Sequence, residues 1–411
     1  NHSSDRRHPR AIRADAFRVC PVAMNAQQNR IFYTLFFSVF CAVLGVGIVI
    51  PLLPVYAKQI GSSGLEIGLI FGAFSISRTF MLPFFGRRSD ATARKPFIVF
   101  GLLCYAFVSV AFVYSTGVHT LIAIRFVQGI ASAMILPVAQ AYLGDITLAG
   151  SEGRTMGLFN LSMFMGLSLG PLAGGMISQH FDMDLAYFCM GVLSALGFLM
   201  CLMLLPSSQQ EKQMHQRKPP LAWGLLLADR ELNTLMLLRF AHTSCIGMLW
   251  GFLPVYAGSV LGLSPMETGV LVTMSVLVSG LLNWPMGALS DRMSKKTLGI
   301  FGGMIVAVSI AAMIRAGGFW GMFWGSVGFG IGGGMLTPAV MGMAVGCGNR
   351  MESMGSVMAL MTVGHSTGMM VGSVSSGWIM DRWGITHAFG VMASLMIACT
   401  LWFGLHPYRP R

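Results

Sequence analysis

The amino-acid sequence predicts an all-α polytopic membrane protein with twelve transmembrane helices in two six-helix halves. Three observations lead to this fold class. First, the 411 residues are 55% hydrophobic and only 10% charged, with a mean hydropathy of +0.69, which is too apolar for an ordinary soluble surface. Second, the chain contains repeated apolar runs of about 20 residues, the length that crosses a hydrocarbon core. Third, the second half of the chain repeats landmarks of the first.

The internal repeat keeps its register over most of the chain. The pentapeptide Leu53–Ala57 returns as Leu253–Ala257, a shift of 200 residues. Further landmarks return at a shift of 201 residues: Glu66 and Gly68 as Glu267 and Gly269, the Gly86 to Asp90 spacing as Gly287 to Asp291, and Leu136-Pro137 near Thr337-Pro338. Six spans per repeat give both halves the same orientation, because six crossings return the chain to its starting side. Parallel repeats of this kind are typical of secondary transporters.

The apolar runs place the twelve spans and divide the chain into five segments. The spans cover roughly residues 31–56, 66–86, 96–116, 120–143, 155–178, 185–205, 233–257, 268–288, 297–315, 318–344, 355–379 and 386–405. The predicted segments are a polar basic segment at 1–30, an N-terminal half at 31–205, a linker at 206–232, a C-terminal half at 233–405 and a tail at 406–411.

Lysine and arginine residues are concentrated on one side of this arrangement. Of the 27, 21 fall in the N-terminal segment, the linker, the tail and the loops on their side, whereas only three fall in the opposite loops. Because cytoplasmic segments carry the excess of positive charge, we expect both termini in the cytoplasm. The same bias explains the net charge of +12, so no nucleic-acid partner is expected. The eight scattered cysteines indicate neither a disulfide framework nor a metal site.

The loops after the second and eighth spans carry the same chemistry. Each has a glycine, an aspartate four residues later and a basic pair from four residues after that: Gly86, Asp90, Arg94 and Lys95, then Gly287, Asp291, Lys295 and Lys296. The glycine permits close helix approach, and the aspartate can accept hydrogen bonds from the start of the following helix. Arg94 and Lys95 are expected to stay on the cytoplasmic face. The pattern predicts a gating latch that breaks and re-forms; the alternative is a solvated turn.

These two loops resemble the loop signature of the major facilitator superfamily, and the resemblance spans residues 31–405. The chain departs from the signature at Arg88, where the family has an aliphatic residue, and at Ala93 and Ser294, where it has glycine. The resemblance implies the major facilitator fold, with two halves around a central cavity, and places the chain beside the twelve-helix drug:proton antiporters of the multidrug efflux group. It also implies a multi-pass protein of the bacterial inner membrane.

Two further motifs are similar to those of proton-driven drug exporters. In the fourth span, Arg125, Gln128 and Ser132 share one helical face. The resemblance implies that Arg125 and Gln128 assist proton movement, the alternative being an arginine held by backbone carbonyls for packing. The fifth span is similar to the family's antiporter motif, which implies export; its residues are Gly166, Gly170, Pro171, Gly174 and Gly175.

The ionisable residues within the spans are all basic, because each of the 15 acidic residues falls in a loop, a tail or a span end. His365 lies about 15 Å into its span. Because histidine side chains generally titrate near physiological pH, His365 is a candidate for proton coupling. A packing histidine is the alternative. Arg239 is close enough to the cytoplasmic end for its side chain to snorkel.

Candidate residues of the substrate cavity come from the second and seventh spans. Ser75, Arg78 and Thr79 form a polar stripe on an otherwise apolar helix, and His242 lies within the seventh span. Arg78 could contact substrate, act in gating or serve packing.

The sequence therefore predicts a secondary active transporter that exports small amphiphilic molecules, either drug-like compounds or metabolites, by alternating access in exchange for protons. One alternative is uptake or facilitated diffusion of an organic anion; another is a non-transporting receptor or scaffold, which has no need of interior charges. We expect no enzyme activity and no cofactor, since no Walker-type phosphate loop is present. The expected partners are the substrate, protons and the lipid bilayer, and the protein is expected to act as a monomer.

Overall fold

The computed structural model describes residues 25–147, 152–206, 223–290, 293–351 and 353–406. In this part of the chain there are fourteen helices and no strand: α1 (Ala26–Val49), α2 (Leu52–Gln59), α3 (Gly64–Ala91), α4 (Arg94–Val113), α5 (Val118–Ile146), α6 (Glu152–His180), α7 (Met183–Leu204), α8 (Trp223–Ala228), α9 (Arg230–Ser259), α10 (Pro265–Ser290), α11 (Lys295–Ile314), α12 (Phe319–Arg350), α13 (Met354–Trp383) and α14 (Ile385–Leu405). Twelve spans are long and apolar enough to cross a membrane, which confirms the predicted fold class.

The first span differs from the prediction. We expected one continuous helix over residues 31–56, but α1 ends at Val49 and α2 begins at Leu52. Pro51 lies at the break and Pro54 in the first turn of α2; a proline lacks the N–H of a helical hydrogen bond and clashes with the preceding turn. The short helix α8 lies within the predicted linker. Several helices also extend beyond their apolar runs: α3 covers Gly64–Ala91 rather than 66–86.

The repeated landmarks of the sequence have repeated structural roles. The Tyr56 hydroxyl donates to the Ser115 carbonyl oxygen at 2.8 Å, and the Tyr256 hydroxyl donates to the Ile314 carbonyl oxygen at 3.4 Å. In each half, this bond ties the first span to the end of the third. The repeated glutamates cap helices in the same way: Glu66 pairs with Ser63 at the start of α3, and Glu267 pairs with Ser264 at the start of α10.

The bundle has two ends that differ in their contacts. The hairpin end holds the short connections at 60–63, 114–117, 181–182, 260–264, 315–318 and 384. The terminus end holds the start of α1, the end of α14 and the described connection at 92–93. Two of the hairpin-end turns use glycines with positive φ at equivalent positions of the repeat, Gly61 at 86° and Gly262 at 64°, a conformation that residues with a Cβ avoid.

The two halves, α1–α7 and α9–α14, contact each other mainly along two helix pairs. The first pair is α3 with α13: Gly64 lies against Gly377 and Gly68 against Ser373. The second pair is α6 with α10: Gly175 lies against Pro265 and Gly269 against Pro171, and the Thr273 hydroxyl donates to the Ser168 carbonyl oxygen at 2.8 Å. Small residues let these backbones approach closely. We call these two lines of contact the α3–α13 seam and the α6–α10 seam. Both run from the hairpin end towards the middle of the bundle.

Asp381 stabilises the α3–α13 seam through hydrogen bonds. Its carboxylate accepts hydrogen bonds from the backbone N–H groups of Gly64 at 2.6 Å and Leu65 at 2.8 Å. These N–H groups belong to the first turn of α3 and have no partner within their own helix. A residue of the C-terminal half therefore caps a helix of the N-terminal half, and the negative charge lies at the positive end of the helix dipole.

Replacing Asp381 with alanine should weaken the hairpin-end contact by about 1 kcal/mol, the usual effect of losing a helix cap. We expect a lower melting temperature in detergent and a broader, longer distance distribution between spin labels on Gln59 and His387, measured by electron–electron double resonance.

The matched control is Asp182→Ala. Asp182 lies at the same end and precedes α7, but its side chain makes no capping hydrogen bond. If both variants behave alike, Asp381 does not hold the two halves together.

Candidate substrate cavity and gating contacts

A cavity of about 140 Å³ lies between the two halves near the middle of the bundle. Most of its wall comes from α1, α3, α5 and α6, and the C-terminal half contributes Gly247, Trp250 and Met369. The polar residues at its wall are Ser75, Arg78, Tyr105, Arg125 and Ser132. The structure therefore brings together polar residues of the second, third and fourth spans in an otherwise apolar chamber, as is usual for small-molecule sites.

Arg125 is held in place by neutral and aromatic groups. Its guanidinium donates to the Gln128 side-chain oxygen at 2.6 Å and lies over the rings of Phe74 at 4.5 Å and Phe71 at 5.2 Å. Cation–π contacts stabilise a desolvated guanidinium without neutralising it. Its Nε has no hydrogen-bond partner. The predicted shared face of Arg125 and Gln128 is thus a direct contact, and Arg125 keeps its full positive charge at the cavity wall.

Of the predicted polar stripe on α3, two residues line the cavity and the third does not. Ser75 and Arg78 line the cavity, and the buried Nε of Arg78 has no partner. The Thr79 hydroxyl instead donates to the Ser75 carbonyl oxygen at 2.7 Å, and Thr79 is not among the described residues of the cavity wall. Arg78 is the member of the stripe that offers free hydrogen-bond donors to the cavity.

Arg239 and His365 form a pair between α9 and α13. The Arg239 Nη2 atom lies 3.2 Å from the His365 Nδ1 atom. We expected Arg239 to snorkel to the cytoplasmic end, but its side chain turns inward and its Nε is buried without a partner. A guanidinium can only donate, so Nδ1 of His365 is the acceptor and carries no proton. His365 is therefore neutral in this arrangement.

His242 lies away from the cavity wall. Its ring stacks on Phe329 with centroids 6.0 Å apart and an interplanar angle of 24°, and Gly333 makes room for its Nε2 atom. His242 is 3% exposed, and neither ring nitrogen has a hydrogen-bond partner. Within the described residues, it faces α12 rather than the predicted substrate cavity.

The predicted latch loops lie at the terminus end. Gly86 is in the last turns of α3, and a carbon atom added there would meet no atom within 4 Å; Gly287 has similar space, with Pro338 3.9 Å away. The close helix approach predicted at these glycines is not present in this conformation. The side chain of Asp90 and the whole of Asp291 lie outside the described residues. The latch role of these residues stays a prediction.

The basic residues of these loops contact neighbouring helices. Arg94 and Lys95, which we expected on the cytoplasmic face, lie at the terminus end, where Arg94 is buried and forms an ion pair with Asp145 at the end of α5. Lys95 donates to the Leu205 carbonyl oxygen at 2.6 Å. Lys296, its repeat equivalent, donates to the carbonyl oxygens of Gly404 and His406, both at 2.7 Å. Carbonyls at helix C-termini attract cations, which explains why these lysines turn inwards. The equivalent of Arg94 is Lys295, whose side chain packs near Gly342.

The motif of the fifth span forms two backbone contacts at once. Three of its glycines face α1: Gly166 lies against Phe40 and Leu44, Gly170 against Gly47 and Gly174 against Ile48. The remaining glycine and proline face α10 across the halves, through the Gly175–Pro265 and Pro171–Gly269 contacts. The motif therefore connects the interior of the N-terminal half to the seam between the halves.

Substituting valine for Gly170 should separate α1 from α6, because a carbon added at Gly170 would lie 2.5 Å from the Gly47 Cα atom. Overpacking of this kind usually costs about 1–3 kcal/mol. We expect a lower melting temperature and loss of transport. Gly157→Val is the control on the same helix, since an added carbon there meets no atom within 4 Å; equal effects of the two substitutions would contradict the contact.

Comparison with known proteins assigns this arrangement to a class. The family model "Major Facilitator Superfamily" matches residues 35–270 and 235–411, so the chain belongs to that superfamily and is a multi-pass membrane transporter, not an enzyme.

Similarity to individual members is distant. An uncharacterized MFS-type transporter of Methanocaldococcus jannaschii is 25% identical over 369 residues, which cover 89% of this chain and 95% of the relative. The quinolone resistance protein NorA of Staphylococcus aureus is 24% identical over 361 residues, covering 86% of this chain and 90% of NorA. Among solved structures, a mutant of the nucleoside transporter NupG superposes with a TM-score of 0.76 at 12% identity, covering 91% of this chain and 99% of that chain. The last likeness concerns the fold alone.

Sequence reasoning missed several residues of the cavity. Tyr105 and Trp250 lie at its wall, and Phe71 and Phe74 hold Arg125. An aromatic residue in an apolar helix gives no periodic signal, because every face of these helices is apolar. Asp381 was missed for a different reason: its partners are backbone N–H groups more than 300 residues away.

Proposed function

We propose that this protein exports small amphiphilic molecules by alternating access, in exchange for protons. The observation that carries the proposal is the double contact of the α6 motif: Gly166, Gly170 and Gly174 fix α6 to α1, while Pro171 and Gly175 form part of the separable seam with α10. The resemblance of this motif to that of antiporters, and the similarity to a protein named for quinolone resistance, support the direction of transport.

The contacts between the halves support a conformation that is closed at one end. Both seams and the Asp381 cap lie between the hairpin end and the middle of the bundle, while Gly86 faces open space at the terminus end. If the terminus end is cytoplasmic, as the charge bias predicts, substrate enters from the cytoplasm. Rocking of the halves would then separate the seams, and the Asp90 and Asp291 loops would close the terminus end.

The proposed coupling involves the Arg239–His365 pair. A protonated His365 would donate from both ring nitrogens and could no longer accept a hydrogen bond from Arg239. Protonation would therefore break the Arg239–His365 hydrogen bond between α9 and α13 and place two cations side by side. In this proposal, protonation of His365 changes how α13 packs, and α13 is the helix that contacts α3 across the two halves.

Proton antiport can be tested in inside-out vesicles energised with a pH gradient and monitored with a pH-sensitive dye. Addition of neutral, cationic and anionic amphiphiles should collapse the gradient for at least one class of compound. Vesicles without the protein and vesicles with Asp90→Asn are the controls. A tracer that accumulates without any change in the gradient, or that equilibrates without accumulating, would contradict proton-driven export and favour a facilitated carrier.

His365 can be tested with two substitutions that separate charge from packing. Asparagine offers a carbonyl oxygen near the position of Nδ1 and can still accept from Arg239, but it does not titrate; alanine does neither. We expect both His365→Asn and His365→Ala to lose gradient-driven export, measured as the concentration ratio of a tracer across the vesicle membrane. Wild-type accumulation by His365→Asn would show that His365 only positions Arg239.

A further inference from the structure

Buried cations from both halves face the interior of the bundle. Arg78 and Arg125 come from the N-terminal half, and Arg239 comes from the C-terminal half with His365 as its partner. The acidic residues whose side chains are described lie at helix ends: Glu66, Asp145, Asp182, Asp184, Asp229, Glu231, Glu267 and Asp381. A desolvated guanidinium without an acidic partner is costly, and arginine stays protonated under these conditions. These groups are therefore suited to bind an anion.

Arg78 and His365 lie at the same depth on opposite sides of the boundary between the halves. The antiparallel seam sets Gly64 against Gly377 and Gly68 against Ser373, and continuing this register along α3 brings Arg78 within about one helical turn of His365. Met369, one turn from His365 on the same face of α13, lines the cavity together with Arg78. Arg78 thus lines the cavity, and the Arg239–His365 pair, which is not among the described wall residues, lies one helical turn beyond Met369.

Three guanidinium donors in this region have no partner within the protein. The Nε atoms of Arg78, Arg125 and Arg239 are buried without hydrogen-bond partners. Buried polar groups in proteins are normally paired, and guanidinium groups offer several donors in a planar arrangement that matches oxyanions.

We propose that the cavity binds an amphiphile by its anionic oxyacid headgroup, held between Arg78 of the N-terminal half and the Arg239–His365 pair of the C-terminal half. This inference rests on the proposed transport function and names its substrate class. A headgroup that contacts both halves would draw the two halves together at the open terminus end, so ligand binding would favour closure of that end. The apolar part of the ligand lies against Phe71, Phe74, Trp250 and Met369. A cavity near 140 Å³ is about the size that holds one benzene ring.

The test compares three ligands of similar shape and different charge. The probes are 4-butylbenzenesulfonate, its neutral sulfonamide and the cation 4-butylbenzyltrimethylammonium. Binding to the purified full-length protein in lipid nanodiscs is measured by calorimetry at low salt, with protein-free nanodiscs as the background. We expect the sulfonate to bind at least about 10-fold more tightly than the sulfonamide, as charge-assisted hydrogen bonds require, and the cation to bind more weakly than either.

Variants on both sides of the boundary locate the site. Arg78→Gln and Arg239→Gln should each weaken sulfonate binding about 10-fold and leave sulfonamide binding unchanged. Arg382→Gln removes the same charge from an exposed arginine that stacks on Trp378 and should leave both affinities unchanged. Folding is checked independently: because each glutamine replaces a buried cation, the ligand-free melting temperature should not fall, while the stabilisation by sulfonate should be lost.

The outcomes separate this inference from the proposed function. Equal affinities for sulfonate and sulfonamide, stronger binding of the cation, or sulfonate binding that survives both substitutions would overturn the anion site, whatever the vesicles transport. Sulfonate binding that depends on Arg78 and Arg239 but leads to no proton-linked export would uphold the site and overturn the proposed function.

Discussion

The contact between the two halves depends on backbones that approach each other where glycine leaves no side chain. Gly64 and Gly68 of α3 and Gly175 of α6 allow this approach on the N-terminal side, and Gly377 and Gly269 allow it on the other. In a membrane, apolar side chains gain little by leaving lipid for protein, so helix pairs associate through close packing and a few polar bonds. A seam of this kind separates without exposing a large apolar core to water, which a transporter with moving halves requires.

The twofold repeat explains much of what the sequence could predict. Equivalent positions have equivalent roles. Tyr56 and Tyr256 bind the end of the third span of their own half. Glu66 and Glu267 each cap the start of the helix in which they lie, α3 and α10. A residue that occurs at the equivalent position of both halves can be told apart from a chance polar residue, because chance does not usually place the same residue twice. The apolar runs similarly predicted twelve spans, since hydrocarbon requires helices of a minimum length.

Features without a repeat equivalent were the ones that the sequence could not predict. Asp381 corresponds to His180 in the other half, so no second copy marked it, and its partners are backbone atoms distant in sequence. The inward turn of Arg239 depends on His365 in another helix, whereas helix position alone favoured snorkelling. The aromatic residues of the cavity wall were not predicted either, because residues such as Phe74 and Trp250 are common on every face of an apolar helix.

The asymmetry of the seams has a mechanical consequence. Along α13, His365 and Asp381 are 16 residues apart, about 24 Å of continuous helix. At one end of this segment His365 contacts Arg239, and at the other Asp381 caps α3 across the halves. In the proposed coupling, a tilt of the rigid helix α13 at His365 would also move Asp381, so a charge change at His365 would affect the contact at the hairpin end. The α6–α10 seam has no described charged group of this kind, and its packing contacts can act as the pivot about which α13 moves.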